Sequence, residues 1–430
     1  MLRSHYSAEI SPEMDGAEVT LSGWLREIRD LGRLKFAILA DREGSVQLTV
    51  KKGEVPEEVF SRISGIPRES VVKVVGTVRS SEKAPGGFEV VPSEIELISR
   101  SEAPLPLEVT GKTPAELPTR LNARFLDLRR PEISAIFRIE SAVKILFLEC
   151  FDRLGFVNVN VPCIVAAATE GGAELFPLAY FDREAFLSQS PQLYKQILMA
   201  SGLDRVSIVT PAFRAEPHDT PRHLNEAVQM DIEVAFVESE EDVLKYYDEF
   251  FSYLSENLEK RCARELRVLG VKPEFRRPER ITYEKALDEL SSAGIELEWG
   301  EDLSPEAERK LCGILNPVVI TKWPTEVRAF YSMPEPDDPK ICRGFDLLFN
   351  GIEVSSGAQR IHDPGLLKSV LRERNMDVES FEFYLNAFRY GMPPHAGWSI
   401  GLERFVMAFL GLKNIREASL FPRDRKRLIP

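Results

Sequence analysis

Cysteine and histidine are scarce in this chain of 430 residues, with five of each. No two cysteines form a Cys-x-x-Cys pair, so neither a zinc site nor a disulfide framework is expected, and a reducing compartment fits. No apolar run approaches the roughly 18 residues that a membrane helix needs, and the N-terminal MLRSHYSAEI lacks the apolar segment of a secretory signal. We therefore expect a cytoplasmic protein without a membrane partner. The Walker A pattern is also missing, which argues against a P-loop nucleotide site.

Positive charge is in deficit, with 55 Lys and Arg against 68 Asp and Glu and a net charge of −13. This balance argues against indiscriminate binding of nucleic acid, although a local basic face remains compatible with RNA. The hydrophobic content of 43% is ordinary for a globular protein, and the length allows two or three domains.

The first hundred residues are rich in short strand patterns. Alternating or β-rich runs occupy residues 17–25, 35–41, 45–50, 71–78 and 88–98. The intervening KKGEVPEEVFSRI can hold a short helix. Five short strands are typical of an OB barrel, a fold that binds oligonucleotides, with any other small β-barrel as the alternative. We predict an OB-fold domain over residues 1–102.

Proline and turn residues predict a hinge over residues 103–130. Beyond it, residues 131–430 mix helical and strand patterns and predict a second domain. Its clearest elements are a helix over 131–156, a strand over 156–165 and a long amphipathic helix over 238–266. Residues 270–340 mix short helices and strands, which favours a small insertion.

The stretch FRAEPHDTPRHLNE, residues 213–226, concentrates opposite charges. Strand-like residues 207–216 and 230–236 flank it, so the sequence predicts a β-hairpin with a long charged loop. Arginines can grip phosphate oxygens, and carboxylates can hold Mg²⁺ or an amine, so the loop suits a polyanionic ligand with a metal. A solvated loop whose ions pair among themselves is the alternative.

Two later segments favour ligand binding. GIEVSSGAQRIHD sets Glu353, Ser356 and Arg360 among small residues, which allow a ligand to approach the backbone. GWSIGLERFVMAFLG leads through glycines into a helical apolar pattern. A helix N-terminus with Arg404 in its first turn can hold a phosphate.

These segments resemble the signature motifs of class II aminoacyl-tRNA synthetases. Phe213-Arg214-Ala215-Glu216 with its loop is similar to the second motif, and Gly401-Leu402-Glu403-Arg404 to the third. The helix from residue 131 and the strand leading to Pro162 resemble the first motif, which builds the dimer interface of that class. The HIGH and KMSKS motifs of class I are absent. The resemblance implies a homodimer whose core is an antiparallel sheet flanked by helices.

An OB domain followed by a class II core is the layout of the aspartyl, asparaginyl and lysyl enzymes. ATEGGAELFP, SQSPQLYKQ, RHLNEA, FRYGMPPHAG and LFPRDRKRLIP are similar to aspartyl-tRNA synthetases of the archaeal and eukaryotic kind. The compact chain looks archaeal in type. The implied reaction converts L-aspartate and ATP to aspartyl-adenylate and pyrophosphate, and then transfers the aspartyl group to the 3′-terminal adenosine of tRNA.

The resemblance also implies an ATP site. Arg214 would bridge the substrate carboxylate and the α-phosphate, and Arg404 would hold the other side of the triphosphate. Glu353 would ligate Mg²⁺, with Ser356 as a second oxygen ligand. The further ATP-binding residues would be Ala215, Glu216, Arg222, His223, Leu224, Gly401, Leu402 and Glu403. Because this chemistry relies on positioning and charge neutralisation, Arg214, Arg404 and Glu353 are the catalytic candidates and no nucleophilic side chain is expected.

Selecting aspartate over asparagine requires fixed positive charge, since the two side chains have nearly the same shape. By resemblance, Lys195 and Arg360 supply that charge and Gln192 orients the substrate, because an amide would leave buried cations unmatched. Glu170, which precedes two glycines, would meet the substrate ammonium from a closing lid. The aspartate site would also include Arg214 and Ser356.

The OB domain has candidates of its own. Phe36 would stack on an anticodon base while Arg29 and Gln47 read base edges, although Phe36 is equally compatible with the barrel core. Relatives that charge only aspartate tRNA tend to carry lysine where Pro85 stands and tryptophan where Arg26 stands. Proline offers neither a charge nor an N–H group. We therefore expect a non-discriminating enzyme that charges aspartate tRNA and asparagine tRNA, although Arg26 fits neither pattern cleanly.

Four alternatives stay open at this point. They are a strictly discriminating aspartyl enzyme, an asparaginyl-tRNA synthetase, an ATP-dependent asparagine-forming enzyme and an RNA-binding relative without catalysis. The paired cations weigh against the second, the OB domain against the third, and the intact Arg214, Glu353 and Arg404 against the last.

Overall fold

The computed structural model describes residues 2–166, 174–217 and 219–430. The chain divides into two compact units, Met1–Pro131 and Glu132–Pro430. In the described part of the chain, no helix combines the length and the apolar character that crossing a bilayer would require.

The first unit is built on a closed five-stranded barrel. Its strands are β1 (Glu18–Asp30), β2 (Leu34–Ala40), β3 (Ser45–Lys51), β4 (Ser70–Ser80) and β5 (Phe88–Ser99), and the helix α1 (Glu57–Arg62) follows β3. The strand order around the barrel is β1-β2-β3-β5-β4. Alternate residues such as Val72 and Val74 point inward and fill the barrel with an apolar core. The five predicted strands and the short helix are confirmed.

The segment predicted as a hinge is partly folded. It carries the helices α2 (Leu117–Asn122) and α3 (Arg124–Asp127). Leu107 and Val109 pack with Ala123 and Leu126 in a small apolar cluster of their own. This segment is therefore a packed part of the first unit rather than an open linker.

The second unit is organised around an eight-stranded sheet in the order β12-β13-β14-β15-β16-β11-β10-β6, with β7, β9 and β8 in a small separate sheet. The strands are β6 (Val157–Asn158), β7 (Ile164–Val165), β8 (Pro177–Tyr180), β9 (Arg183–Leu187), β10 (Arg205–Phe213), β11 (Glu226–Ala235), β12 (Glu279–Thr282), β13 (Val318–Thr321), β14 (Gly344–Phe349), β15 (Ile352–Gln359) and β16 (His395–Gly401). Neighbouring strands from β13 to β10 are antiparallel, and the pairs at both edges are parallel.

Helices cover this sheet. They are α4 (Pro131–Arg153), α5 (Gln192–Met199), α6 (Glu241–Leu269), α7 (Tyr283–Ser292), α8 (Pro305–Ile314), α9 (Pro364–Glu373), α10 (Glu382–Arg389) and α11 (Leu402–Leu410). Phe147 of α4, Phe250 of α6 and Phe405 of α11 join Trp398 of β16 in one large apolar core. These three helices therefore bury one face of the sheet. The long helix α6 ends where Gly270 adopts a left-handed backbone with φ of 67°.

One prediction for this unit differs from the structure. The strand expected over residues 156–165 is split into β6 and β7, which belong to different sheets. Pro162 between them has no N–H group to continue a ladder. Residues 270–340, predicted as a small insertion, contribute β12 and β13 to the edge of the main sheet.

Candidate active site and nucleic-acid groove

The central strands carry polar side chains on the sheet face opposite α4, α6 and α11. The residues of β11 that enter the apolar core are Met230, Ile232 and Val234. Asp231 and Glu233 alternate with them and point to the other face. Strand pairing sets Asp231 beside Ser399 of β16, and Ser399 beside Ser356 of β15. Asp346 of β14 is the next partner of Ser356, so a line of polar residues crosses four neighbouring strands.

Lys195 and Arg360, the two predicted cations, meet at a buried carboxylate. Nζ of Lys195 lies 2.7 Å from Oδ1 of Asp231 and 3.5 Å from Oε2 of Glu233. Arg360 donates from Nε and Nη2 to the two carboxylate oxygens of Glu233 at 2.9 and 3.1 Å. All four residues are at most 3% exposed. Burial alone would raise the pKa of Glu233, but the Arg360 and Lys195 charges hold it below its usual value.

Glycine at position 397 makes room for this carboxylate. A Cβ on Gly397 would collide with Oε2 of Glu233 and with the main-chain oxygen of Ile232. The Gly397 carbonyl also accepts a hydrogen bond from Nη2 of Arg360 at 2.9 Å. Among the described residues, no acceptor bonds to Nη1 of Arg360. That edge of the guanidinium can still bind a carboxylate.

Gln192 lies on α5 one turn before Lys195, on the same helix face. It is buried, and its Nε2 donates to Oε1 of Gln196 at 2.9 Å. Glu170, the predicted lid residue, and the two glycines that follow it lie outside the described residues.

The charged loop predicted within residues 213–226 joins β10 to β11, so the predicted hairpin is confirmed. Arg214 opens the loop with 43% of its side chain exposed, and its Nη1 lies 3.8 Å from Oε1 of Glu216. Asn225 closes the loop by donating from Nδ2 to the main-chain oxygens of Arg214 and Glu216 at 2.7 and 3.1 Å. The loop backbone is thus held together while Arg214 stays accessible.

A cavity lies between this loop, β15 and the start of α11. The predicted ligand residues that line it are Arg214, Glu216, Arg222, His223, Leu224, Glu353, Ser356, Gly401, Glu403 and Arg404. Nη1 of Arg222 lies 2.7 Å from Oε2 of Glu308, and its Nη2 donates to the Gly351 carbonyl at 3.0 Å. Ala215 is absent from the lining, and its N–H donates to the main-chain oxygen of Glu174 at 3.0 Å. The structure therefore brings most of the predicted nucleotide site into one cavity.

Two residues of the third motif make contacts inside the protein. Leu402 is fully buried in the apolar core behind the cavity, so its side chain is not available to a nucleotide. Glu403 lines the cavity, but both of its carboxylate oxygens accept the N–H of Val228, at 3.1 and 3.0 Å. Glu403 thereby fastens α11 to β11.

Glu403 gives a testable dependence of stability on pH. Burial raises the pKa of Glu403 from 4.5 to about 7, although the hydrogen bond from Val228 opposes this. A carboxyl whose pKa is raised in the folded state destabilises the protein once it ionises, so stability is lost as the pH rises from about 4.5 to about 7.

Glu403→Gln keeps an oxygen for Val228 and does not titrate. Relative to wild type, the variant should gain up to roughly 3 kcal/mol between pH 5 and pH 8. Calorimetric melting of both proteins at these pH values measures the gain, and a pH-independent difference would contradict it.

Ser356 and Asp346 form the other end of this line of polar residues, and Glu353 lies on the same strand as Ser356. Arg328 donates to both oxygens of Asp346 at 2.6 and 2.8 Å and to Oγ of Ser356 at 2.7 Å. Burial, together with the Asp346 and Glu308 carboxylates, raises the pKa of Glu353 to about 7. Carboxylates thus converge where their charges repel, and oxygen donors are the ligands that Mg²⁺ prefers. The residues present fit a divalent cation.

Four residues of this site escaped the sequence analysis. They are Asp231, Glu233, Arg328 and Asp346. The alternation in MDIEVAF was visible in the sequence, but nothing in it shows that its polar side is buried as well as its apolar side. Arg328 lies in residues 270–340, which hold no recognised motif, and Asp346 follows just after them.

A second candidate site is a groove on the barrel of the first unit. Arg29, Phe36 and Gln47 line it from β1, β2 and β3. Phe36 is half-buried and lies outside the apolar core of the barrel, which favours base stacking over core packing. The other charged lining residues are Glu27, Lys51, Glu54, Arg68, Arg79, Lys83, Glu89 and Lys112. Cations outnumber carboxylates here, which suits a phosphate backbone.

Arg26 does not line this groove. Its Nη2 donates to the main-chain oxygen of Arg129, and its Nε lies 3.9 Å from Glu69. Arg129 pairs with the same carboxylate at 2.8 Å. Direct anticodon reading by Arg26 is therefore not supported, because the side chain points away from the groove into an ion cluster.

Pro85 is exposed on the turn between β4 and β5. It does not line the groove itself, but Ser81, Lys83 and Ala84 of the same turn do. Pro85 therefore lies at the rim of the groove.

Comparisons with known proteins agree with this architecture. Residues 116–425 match the family described as tRNA synthetases class II (D, K and N), and residues 19–98 match the OB-fold nucleic acid binding domain. The chain is 52% identical to Aspartate--tRNA(Asp/Asn) ligase of Methanopyrus kandleri, over 100% of both chains. It is 49% identical to Aspartate--tRNA(Asp) ligase of Pyrococcus furiosus, over 100% of both chains.

A solved structure extends the comparison. Asparaginyl-tRNA synthetase from Pyrococcus horikoshii, complexed with asparaginyl-adenylate, superposes with a TM-score of 0.94 at 36% identity, over 100% of both chains. The shared fold therefore does not distinguish the amino acid. The chain belongs to the class II tRNA synthetases of the D, K and N group, and it is an aminoacyl-tRNA ligase with an N-terminal OB-fold domain.

Proposed function

We propose that this enzyme joins L-aspartate to tRNA in two steps. The α-carboxylate of aspartate attacks the α-phosphorus of ATP, and the bond to the bridging oxygen breaks so that pyrophosphate leaves. The 3′-hydroxyl of the terminal adenosine then attacks the aspartyl carbonyl carbon, loses its proton and displaces AMP. Both steps need reactants held in line and negative charge neutralised, which a cavity lined by arginines supports.

The observation that carries the choice of aspartate is the pair of buried cations at Glu233. Lys195 and Arg360 reach this carboxylate from a helix and from the end of a strand, and each is fixed by short polar contacts. A substrate carboxylate can accept a charge-assisted hydrogen bond from Nη1 of Arg360, and this bond is stronger than the one that a neutral amide oxygen would accept. The names of the full-length relatives support the same choice.

The cavity residues divide the remaining work. Arg214 is accessible enough to bridge the aspartate carboxylate and the α-phosphate, and Arg404, which lines the same cavity, would hold the other side of the triphosphate. Arg222 and His223 would contact the outer phosphates. Glu216 would contact the adenine, and the Gly401 backbone would approach the nucleotide closely.

Mg²⁺ would be held by Glu353 and Ser356, with Asp346 next to them. Among the described residues, no three His, Cys, Asp or Glu side chains form a complete metal site. This suits Mg²⁺, which commonly takes one or two carboxylates and completes its shell with water and substrate phosphates. When bound, the ion would neutralise phosphate charge.

For the tRNA, we propose that both aspartate tRNA and asparagine tRNA are charged. The name of the Methanopyrus relative includes both tRNAs, and that of the Pyrococcus relative includes one. Pro85 at the groove rim supplies no charge that would select between them. Homodimerisation through α4 is a prediction from the resemblance, and a cytoplasmic location is a prediction from the scattered cysteines.

The test charges each tRNA transcript separately with labelled aspartate. We expect both to be charged, and Pro85→Lys to reduce charging of asparagine tRNA roughly 10-fold, an energy of about 1.4 kcal/mol, while aspartate tRNA is unaffected. Glu82→Lys adds a cation to the same exposed turn and is the matched control, with no expected change in the ratio.

Each contrary outcome has its own meaning. Charging of aspartate tRNA alone would refute the dual specificity and leave the catalytic assignment intact. Aspartate-dependent exchange of pyrophosphate into ATP without charging of either tRNA would refute the tRNA assignment. Absence of that exchange would refute the amino-acid assignment.

A further inference from the structure

A chain of hydrogen bonds runs from Gln192 into the protein interior. Nε2 of Gln192 donates to Oε1 of Gln196 at 2.9 Å, and Nε2 of Gln196 lies 3.0 Å from Nε2 of His395. Nδ1 of His395 lies 2.8 Å from the carbonyl oxygen of Pro393. The three side chains are buried. None of the predicted roles uses Gln196 or His395.

The bond between His395 and the Pro393 carbonyl fixes the direction of the other hydrogen bonds in this series. The Pro393 carbonyl can only accept, so Nδ1 of His395 must carry the hydrogen. Burial lowers the pKa of His395 to about 4, so the ring is neutral near pH 7 and its Nε2 is an acceptor. Gln196 must therefore turn its NH₂ group toward His395 and its carbonyl oxygen toward Gln192.

The same logic fixes the amide of Gln192. Its NH₂ group is committed to Gln196, so Oε1 is left as the free end of the chain. In the described part of the molecule no donor bonds to this oxygen. An amide oxygen one helical turn from Lys195 is an acceptor for a cationic group, and the cation on aspartate is its α-ammonium.

We propose that Gln196 and His395 are positioning residues that hold the Gln192 carbonyl oxygen toward the substrate ammonium. This inference rests on the proposed function. Without these bonds, the Gln192 amide could turn its NH₂ group toward the ammonium, and the contact would be lost. These hydrogen bonds therefore favour a ligand that carries a positively charged group beside its carboxylates.

The test is a double-mutant cycle on aspartate-dependent pyrophosphate exchange. Gln192→Met and Gln196→Met should each raise the KM for aspartate roughly 10- to 100-fold, since the first removes the hydrogen bond to the ammonium and the second releases the amide that makes it. The double variant should add little, because both changes break the same chain. The KM for ATP should stay within about 2-fold of wild type. Additive effects, or a parallel rise in the KM for ATP, would overturn the proposal.

Inhibition by succinate separates positioning from general damage. Succinate keeps both carboxylates of aspartate and lacks the ammonium, so its inhibition constant should be the same for wild type and Gln196→Met. A weakening equal to that of aspartate would overturn the proposal.

If Gln196→Met folds poorly, substitutions of His395, the next residue in the hydrogen-bond series, provide the same test. His395→Gln places an oxygen acceptor near Nε2 and should keep the KM for aspartate within about 3-fold, whereas His395→Leu should raise it as Gln196→Met does. Equal effects of the two variants would overturn the proposal. Wild type without aspartate-dependent exchange would instead refute the proposed function, so the two failures are distinguishable.

Discussion

Lys195→Met is expected to lower kcat/KM for aspartate at least about 1000-fold and to destabilise the catalytic unit by about 3 to 5 kcal/mol. The Lys195 side chain has no exposed surface, and its Nζ bonds to Asp231 with Glu233 nearby. Methionine has a similar length but no charge, so a buried carboxylate loses its partner. The substrate carboxylate would then enter a site with excess negative charge. Pyrophosphate exchange and calorimetric melting measure the two effects.

A compensating variant distinguishes recognition from folding. Lys195→Met combined with Asp231→Asn removes one charge of each sign, and it should recover most of the lost stability because the two residues are in direct contact. Exchange with aspartate should nevertheless stay at least about 100-fold below wild type. Arg343→Lys is the matched control, since this partly buried guanidinium bonds to Glu335 and Gln359 and to neither Asp231 nor Glu233. Near-normal exchange by the double variant would refute the role of Lys195.

Much of the fold was predictable because the residues with a strand-like pattern in the sequence are also the ones whose apolar sides pack into a core. The barrel strands alternate apolar and polar residues, and each alternation became a strand with an inward apolar face. The hairpin around the charged loop was predictable for the same reason. The strand over residues 156–165 failed because alternation alone does not say whether a strand has a neighbour to pair with.

In the sequence, the site was predictable only where a signature motif marked it. Arg214 and Arg404 lie in such motifs. Glu233 and Asp231 do not, because an acidic residue in a strand usually faces solvent, and only the register of β11 against β16 shows that these two are buried beside cations. The Leu402 side chain is buried while those of its neighbours line the cavity, because a motif names consecutive residues and a helix turns successive side chains in different directions.

Glu353→Gln is expected to lower the rate of pyrophosphate exchange about 1000-fold at saturating ATP and aspartate, and to raise the Mg²⁺ concentration for half-maximal rate at least about 10-fold. Glu353 shares the cavity with Ser356 and Arg404. An amide keeps the shape of its carboxylate and loses the charge that a divalent ion needs. The titration should be run near pH 8, where a group with a pKa of about 7 is ionised.

Glu403→Gln is the matched control for the Mg²⁺ titration. Glu403 is also a buried carboxyl at this cavity, but its oxygens are bonded to the Val228 N–H, so the Mg²⁺ midpoint of its variant should not move. Binding of Mn²⁺ in the presence of ATP, followed by electron paramagnetic resonance, gives a readout that does not depend on turnover. A slow Glu353→Gln enzyme with an unchanged midpoint and unchanged Mn²⁺ binding would mean that Glu353 shapes the charge of the cavity without ligating the ion.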